Sequence, residues 1–260
     1  MFMKKPSIQN LTNFLIEYIS IFLSAGTYTA RVAKCVGRIA NAYGYEINMN
    51  FFFHHTTLNI FDKEDNSIQR TYIIPNKHNH INFKLILELS ALSWQIHDRK
   101  YNLEEAKLYL LKLTQIKKAP FLANLILVSI ANSAFCRLFG GDFYGCVFVF
   151  LATLVGFSLR IFLTKIKIDL RIQYILCSFL SSLIVFFGVD LKLIQEANIA
   201  LGSSILYLIP GVYFINSIID ILKDHILMGL SRIISVAILV CCIAIGIYTT
   251  LSINDFGILR

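Results

Sequence analysis

From residue 121 to residue 253 apolar positions run almost unbroken, whereas before residue 120 they recur at intervals. Leu11, Phe14, Leu15, Tyr18 and Phe22 fall at helical spacing, with Thr12, Asn13 and Glu17 between them. That period predicts an amphipathic helix packed on a core rather than a signal peptide, despite the basic start and the small residues at Ser24-Ala25-Gly26. A second helix follows, with Val32, Val36, Ile39 and Tyr43 on one face and Gly44 as its stop. "EINMNFFFHH", "TTLNIFD" and "IQRTYIIP" are short and rich in β-branched and aromatic residues, and "KEDNS" parts the last two as a turn. They predict three antiparallel strands. Helical period returns in "INFKLILELSALSWQIHD", where Trp94 is expected in the core. It continues in "NLEEAKLYLLKLTQIKK", with Asn102 as N-cap and Glu104 and Glu105 in the first turn, where the helix dipole favours acids.

A helix that crosses the hydrocarbon core needs about 20 mostly apolar residues. Five runs qualify: 121–139, 143–163, 172–189, 197–219 and 233–253. The expected fold is that of a membrane protein. An α+β soluble N-terminal domain (1–118) precedes an all-α bundle of about five transmembrane helices (119–260). Composition agrees: 56% of residues are hydrophobic and only 15% are charged, against about 25% in soluble domains. Residues 1–120 hold fifteen Lys/Arg and nine Asp/Glu; residues 121–260 hold nine and seven.

The net charge of +8 does not indicate nucleic acid, because no basic stripe with interleaved aromatics occurs. Topology accounts for it instead. With residues 1–118 in the cytoplasm, the inner side receives Lys112, Lys117, Lys118, Lys165, Lys167, Arg171, Lys223 and Arg232, and the outer side Arg137, Lys192 and Arg260. Basic residues prefer the inner side, so the N-terminus is expected inside and the C-terminus outside.

Catalytic chemistry is not indicated. Cys136, Cys146, Cys177, Cys241 and Cys242 lie in apolar runs and Cys35 in a helix, with neither CxxC nor metal spacing. His54 and His55 are adjacent, and His78 and His80 sit in a polar turn; no further ligand pattern supports a metal. No phosphate loop, dinucleotide fingerprint, nucleophile elbow or kinase signature is present, so neither a cofactor nor an enzymatic activity is expected. Small residues at Ala152, Gly156 and Ser158, and at Ala200, Gly202, Ser203 and Ser204, suit close helix packing.

The fourth apolar run interrupts itself in "LYLIPGVYFINSIIDILKDH". Pro210 lacks an amide donor and Gly211 adds conformational freedom, so backbone groups open there. Within a bilayer such groups persist only against protein or a water-filled cavity, and transporters use them to hold ions and carboxylates. Tyr213, Asn216, Asp220 and Asp224 (or Lys223) then share a helical face. Arg160, near the cytoplasmic end of its span, can pair with Asp220 or bind an anion. Charges inside spans are functional candidates by default.

The layout resembles the threonine/serine exporter family, in its N-terminal-domain type. "GTYTARVAKCVGRIANAYGY" is similar to that family's opening helix, "YNLEEA" to its acidic helix start and "LFGGD" to its first membrane turn. "LIPGVYFINSIIDILKDHILMGLSR" is the strongest likeness, at Pro210, Gly211, Asn216, Asp220, Asp224, Gly229 and Arg232. Where relatives often carry acids in the opening helix, this chain has Tyr28 and Ala33. The resemblance implies one subunit of a split, two-component exporter in the bacterial inner membrane. Its partners would be the lipid bilayer, a small carboxylate or amino-acid substrate and a second small membrane subunit, with homo-oligomerisation left open. Substrate contacts are expected from Pro210, Gly211, Asn216 and Arg160, and coupling or gating from Asp220 and Asp224. The alternative reading is a membrane-anchored regulatory or scaffolding protein whose cytoplasmic domain senses a ligand.

Overall fold

The computed structural model describes residues 5–65, 67–76, 81–99, 101–115 and 120–255. The first helix, α1 (Ile8–Ser24), starts at Ser7, whose hydroxyl accepts the Asn10 N–H as an N-cap. Its periodic face, Leu11, Phe14, Leu15, Tyr18, Ile19 and Phe22, is buried. α2 (Thr29–Ala42) buries Val32, Val36 and Ile39, and the chain leaves it through Gly44 at φ 83°. Strands β1 (Tyr45–Phe51), β2 (His55–Asp62) and β3 (Gln69–Pro75) form an antiparallel meander in the order β1-β2-β3. Tyr45 pairs with Asp62 and His55 with Pro75. Alternation along β2 buries Thr56, Leu58, Ile60 and Asp62, the period of two that a one-sided sheet requires. α3 (Phe83–Arg99) and α4 (Leu103–Thr114) complete this part. Asn102 and Glu105 close a reciprocal capping box on α4.

Two details differ from the sequence reading. The first strand stops at Phe51, and His54-His55 belong to the hairpin connection and the start of β2; the Phe52 N–H donates to the His55 carbonyl at 2.9 Å. His55 stacks on Phe52 and His54 meets the edge of Phe53. His78 and His80 lie outside the described residues. Trp94 is not in the core: it is 52% exposed, with the Arg38 guanidinium 3.5 Å over its ring. Arg38 is anchored there by a 2.6 Å bond to Ser93 Oγ, and the cation–π contact covers one face of the indole.

The apolar half begins with α5 (Phe121–Leu138), α6 (Phe143–Lys165) and α7 (Leu170–Asp190). Short α8 (Ala197–Ser204) and a 3₁₀ turn (Leu206–Leu208) follow, then α9 (Gly211–Leu222) and the long α10 (Ile226–Asp255). Among the described residues four helices are long and apolar enough to cross a membrane: α5, α6, α7 and residues 226–253 of α10. A fifth span is counted if α8 and α9, bent at their break, are taken as one. The protein is thus mostly helical, with a small sheet and four to five span-capable helices.

The chain groups into two compact units: residues 1–117 with 212–234, and residues 118–211 with 235–260. The sequence reading divides the chain once, at 118/119; the structure instead groups α9 and the start of α10 with the N-terminal residues. In the second unit α6 packs against α5 and α7, and α8 packs against all three. α7 has 44% of its apolar window buried, against 22–28% for the other spans, so it is the most enclosed. Its inward face carries Ser178, Ser181 and Ser182, whose hydroxyls find partners such as Thr250 Oγ1 at 2.6 Å. The outer faces expose large apolar side chains such as Leu122, Leu127, Phe162 and Phe187, the arrangement lipid requires.

Tyr18 provides a test of the first unit's core. Its hydroxyl donates to the Leu89 carbonyl of α3 at 2.7 Å, and burial raises its pKa well above the usual phenol value, so it stays a donor. Tyr18→Phe removes that second bond from a carbonyl that stays paired within α3 and is expected to destabilise the fold by about 1 kcal/mol. A lower melting temperature, with earlier hydrogen exchange in α1 and α3, would register the loss.

Candidate functional site

The most concentrated charge chemistry lies in the hairpin of α9 and α10. Asp224 makes the turn in the left-handed region (φ 66°), which Asp tolerates better than most residues. The Asp224 N–H donates to Ile221 O at 3.1 Å and the His225 N–H to Asp220 O at 2.9 Å, which satisfies the end of α9. Gly229 then lets the helices approach. A Cβ there would stand 2.7 Å from the Ser217 carbonyl and 3.0 Å from the Ile221 nitrogen. Only glycine permits that backbone contact without displacement.

Across this contact Arg232 Nη1 donates to Asp220 Oδ2 at 2.5 Å. The Asp220 side chain is fully buried and that of Arg232 is 13% exposed. The other carboxylate oxygen serves a different element. Tyr28, the N-cap of α2, makes no side-chain capping bond. Asp220 Oδ1 takes that role, accepting from both the Thr29 N–H and Thr29 Oγ1 at 2.7 Å. A residue 191 positions away therefore caps α2 and places its negative charge at the positive end of that helix dipole. Two further bonds bind the same connection: Asn216 Nδ2 to Gly26 O at 2.8 Å and Arg232 Nη2 to Thr27 O at 3.4 Å. Gly26 itself turns at φ 83°, and a Cβ there would meet Ile81 Cγ1 at 2.9 Å. Residues 26–29 are thus strapped to the hairpin by Asn216, Asp220 and Arg232. Met228, buried in the first unit's core, and His225, edge-on to Phe51 at 5.2 Å, seat the hairpin on the same unit.

The sequence-predicted residues separate into three places. Asn216 and Asp220 come together on residues 26–29. Asp224 is exposed at the turn and does not join the buried cluster. Pro210 and Gly211 end the 3₁₀ turn: Ile209 is extended (φ −63°, ψ 119°), as a residue before proline prefers. The Gly211 N–H turns back to Ile209 O at 2.9 Å, which releases the Tyr207 carbonyl from the bond a continuous helix would give it. Arg160 Nη1 reaches that carbonyl at 3.4 Å, and Nη2 reaches Tyr174 OH at 3.3 Å. The carboxylate's partner is Arg232, which the sequence reading placed among the topogenic cytoplasmic charges. Its signal was the spacing: Asp220 and Arg232 lie twelve residues apart around a turn, with Gly229 between them. Nothing in "GTYT" announced that Thr29 would receive the same carboxylate. Among the described residues no group of three or more His, Cys, Asp and Glu side chains could hold a metal.

Span-capable helices, a broken apolar run and a buried charged pair at its end are features of a multi-pass membrane protein. Residues 13–254 match the family described as "Putative threonine/serine exporter", and the chain belongs to that family. A protein of Klebsiella aerogenes named "Probable succinate transporter subunit YjjP" is 24% identical over 95% of this chain and 96% of its own length. The Escherichia coli K12 protein of the same name is 30% identical over 49% of this chain and 50% of its own. No solved structure matches the chain.

Removing one partner of a buried ion pair strands the other charge, at about 3–5 kcal/mol. Asp220→Ala and Arg232→Ala are each expected to lower stability by that order. The double variant should recover part of the loss, since no charge is stranded. A double-mutant cycle of thermal stability in one detergent checks this, and additive losses would contradict the pairing.

Proposed function

We propose that the chain is the larger subunit of a two-component bacterial inner-membrane exporter of small amino acids or carboxylates. Threonine, serine and a dicarboxylate such as succinate are the substrates to test. In this reading residues 1–118 form a soluble cytoplasmic domain, the bundle crosses the membrane five times, and a second small membrane subunit completes the path. Family membership supports the transport class, and the names of the Klebsiella and Escherichia relatives favour a dicarboxylate and a partner subunit.

The observation that carries the reading is the buried Asp220–Arg232 pair on residues 26–29. Such a pair is a poor device for stability alone, because apolar residues of similar volume often do as well or better. Ionisable groups in span-capable segments are costly and mark transport routes. Asp220 joins the α9–α10 hairpin to the start of α2, so any event that changes its bonds loosens both together. In our reading Asp220 gates the path or couples it to protons, and Asp224 at the exposed turn is a second gating group. The opened backbone at Pro210-Gly211, with Arg160, contacts the substrate, while Asn216 holds the Gly26 carbonyl.

The test is counterflow of labelled threonine, serine and succinate into reconstituted vesicles, with and without the candidate second subunit. Asp220→Asn should cut the rate at least tenfold in folded protein, while Asp224→Asn has a smaller effect. Wild-type rates in Asp220→Asn would remove the gating role. Vesicles that move none of the three substrates would remove the exporter reading.

A further inference from the structure

Arg160 stands in a span-capable helix without a counter-charge. Among the described residues it joins no ion pair, and its two hydrogen bonds, to Tyr207 O and Tyr174 OH, are long at 3.4 and 3.3 Å. A guanidinium has five donors, so most of this one's capacity is unused. Its position is nonetheless built. Tyr174, 2% exposed, faces the guanidinium at 5.1 Å from its ring centroid, and the freed Tyr207 carbonyl fixes the other side. An arginine positioned by a tyrosine and a carbonyl through two long bonds keeps donors of its planar fork for a carboxylate, which bonds it bidentately.

A second polar group lies nearby. Tyr207 OH and Ser181 Oγ share a hydrogen bond of 2.9 Å beside Gly156. Gly156 is required there, since a Cβ would come within 3.0 Å of Tyr207 Cζ. It precedes Arg160 by four residues on α6, about 6 Å along the axis. Residues four apart share a helix face, so the guanidinium and the hydroxyl pair address the same side of α6.

We infer that Arg160, braced by Tyr174 and the Tyr207 carbonyl, is the carboxylate-recognition group of the transport path, and that the Tyr207–Ser181 hydroxyl pair selects short carboxylates with a second polar group. The inference rests on the exporter reading and deepens it by assigning the substrate's anionic end to one side chain. A single unpaired guanidinium takes one carboxylate. Beyond their mutual bond the two hydroxyls reach only the Ala152 and Cys177 carbonyls, at 3.3 and 3.5 Å, and a ligand that displaces one of these long contacts receives a donor for a second carboxylate, or offers its own hydroxyl or ammonium to the pair. Succinate, threonine and serine meet that description; propionate lacks the second group and succinamide lacks the charge.

The experiment measures equilibrium binding of labelled succinate and threonine to the full chain in membrane vesicles, with propionate and succinamide as competitors, alongside the counterflow assay. Wild-type protein should bind both labelled ligands and be displaced poorly by either competitor. Arg160→Gln should weaken binding at least tenfold. Arg160→Lys should weaken it less, because charge is kept and the fork is lost. Tyr207→Phe should weaken succinate and threonine about tenfold and leave propionate competition unchanged. If Arg160→Gln does not fold, the Lys and Phe variants carry the test. Wild-type affinity in Arg160→Gln, or in both other variants, overturns the inference, as does wild-type protein that binds neither ligand. Normal counterflow by Arg160→Gln would leave the exporter reading standing while removing this assignment; absence of counterflow in wild-type protein would remove the reading itself.

Discussion

The first unit depends on one carboxylate. Asp220 is fully buried, and each of its oxygens holds a different element: Oδ2 holds Arg232 of α10, and Oδ1 holds the first residue of α2. A buried carboxylate is tolerable only when its charge is opposed and its lone pairs are filled. Here a guanidinium, a backbone N–H and a hydroxyl meet both conditions. Helix α2, whose own N-cap residue gives no side-chain bond, receives its cap from this distant group. The contact therefore acts at once as ion pair, helix cap and strap on residues 26–29.

Glycine and proline make this geometry reachable. Gly229 brings the two arms of the hairpin to backbone contact, so that Asp220 and Arg232 can meet at 2.5 Å. Pro210 ends the preceding 3₁₀ turn, and the carbonyl it releases at Tyr207 is met by Arg160 in the second unit. In each unit an arginine is thus tied to an interruption of regular helix. Arg232 is neutralised by an internal carboxylate, whereas Arg160 has no acid partner among the described residues.

Much of the architecture was legible along the chain, because period and length are local properties. The face of Leu11, Phe14, Tyr18 and Phe22 is buried as its spacing requires, and Asn102 caps α4. Three strands stand where β-branched residues cluster, and the break falls at Pro210-Gly211. The failures were those of neighbourhood. Trp94 was expected inside by its apolar bulk, but Arg38 of α2, which three strands separate from α3 in the chain, covers its face at the surface. Arg232 reads as a flank of a span that begins at 233; in the structure α10 begins at Ile226, which carries that arginine into the helix and onto Asp220.

The sequence by itself determined the helices, the meander, the break and the membrane character, since each follows from the order of neighbouring side chains. It also singled out Asp220 and Asn216 as unusual polar groups in an apolar run. Tertiary structure alone decided what those groups hold. Thr29 lies 191 residues from Asp220 and Gly26 190 from Asn216, and no local pattern can encode which helix end a carboxylate will cap. That choice is made when α2 presents an unfilled N–H, because a buried carboxylate is stable only where such donors converge.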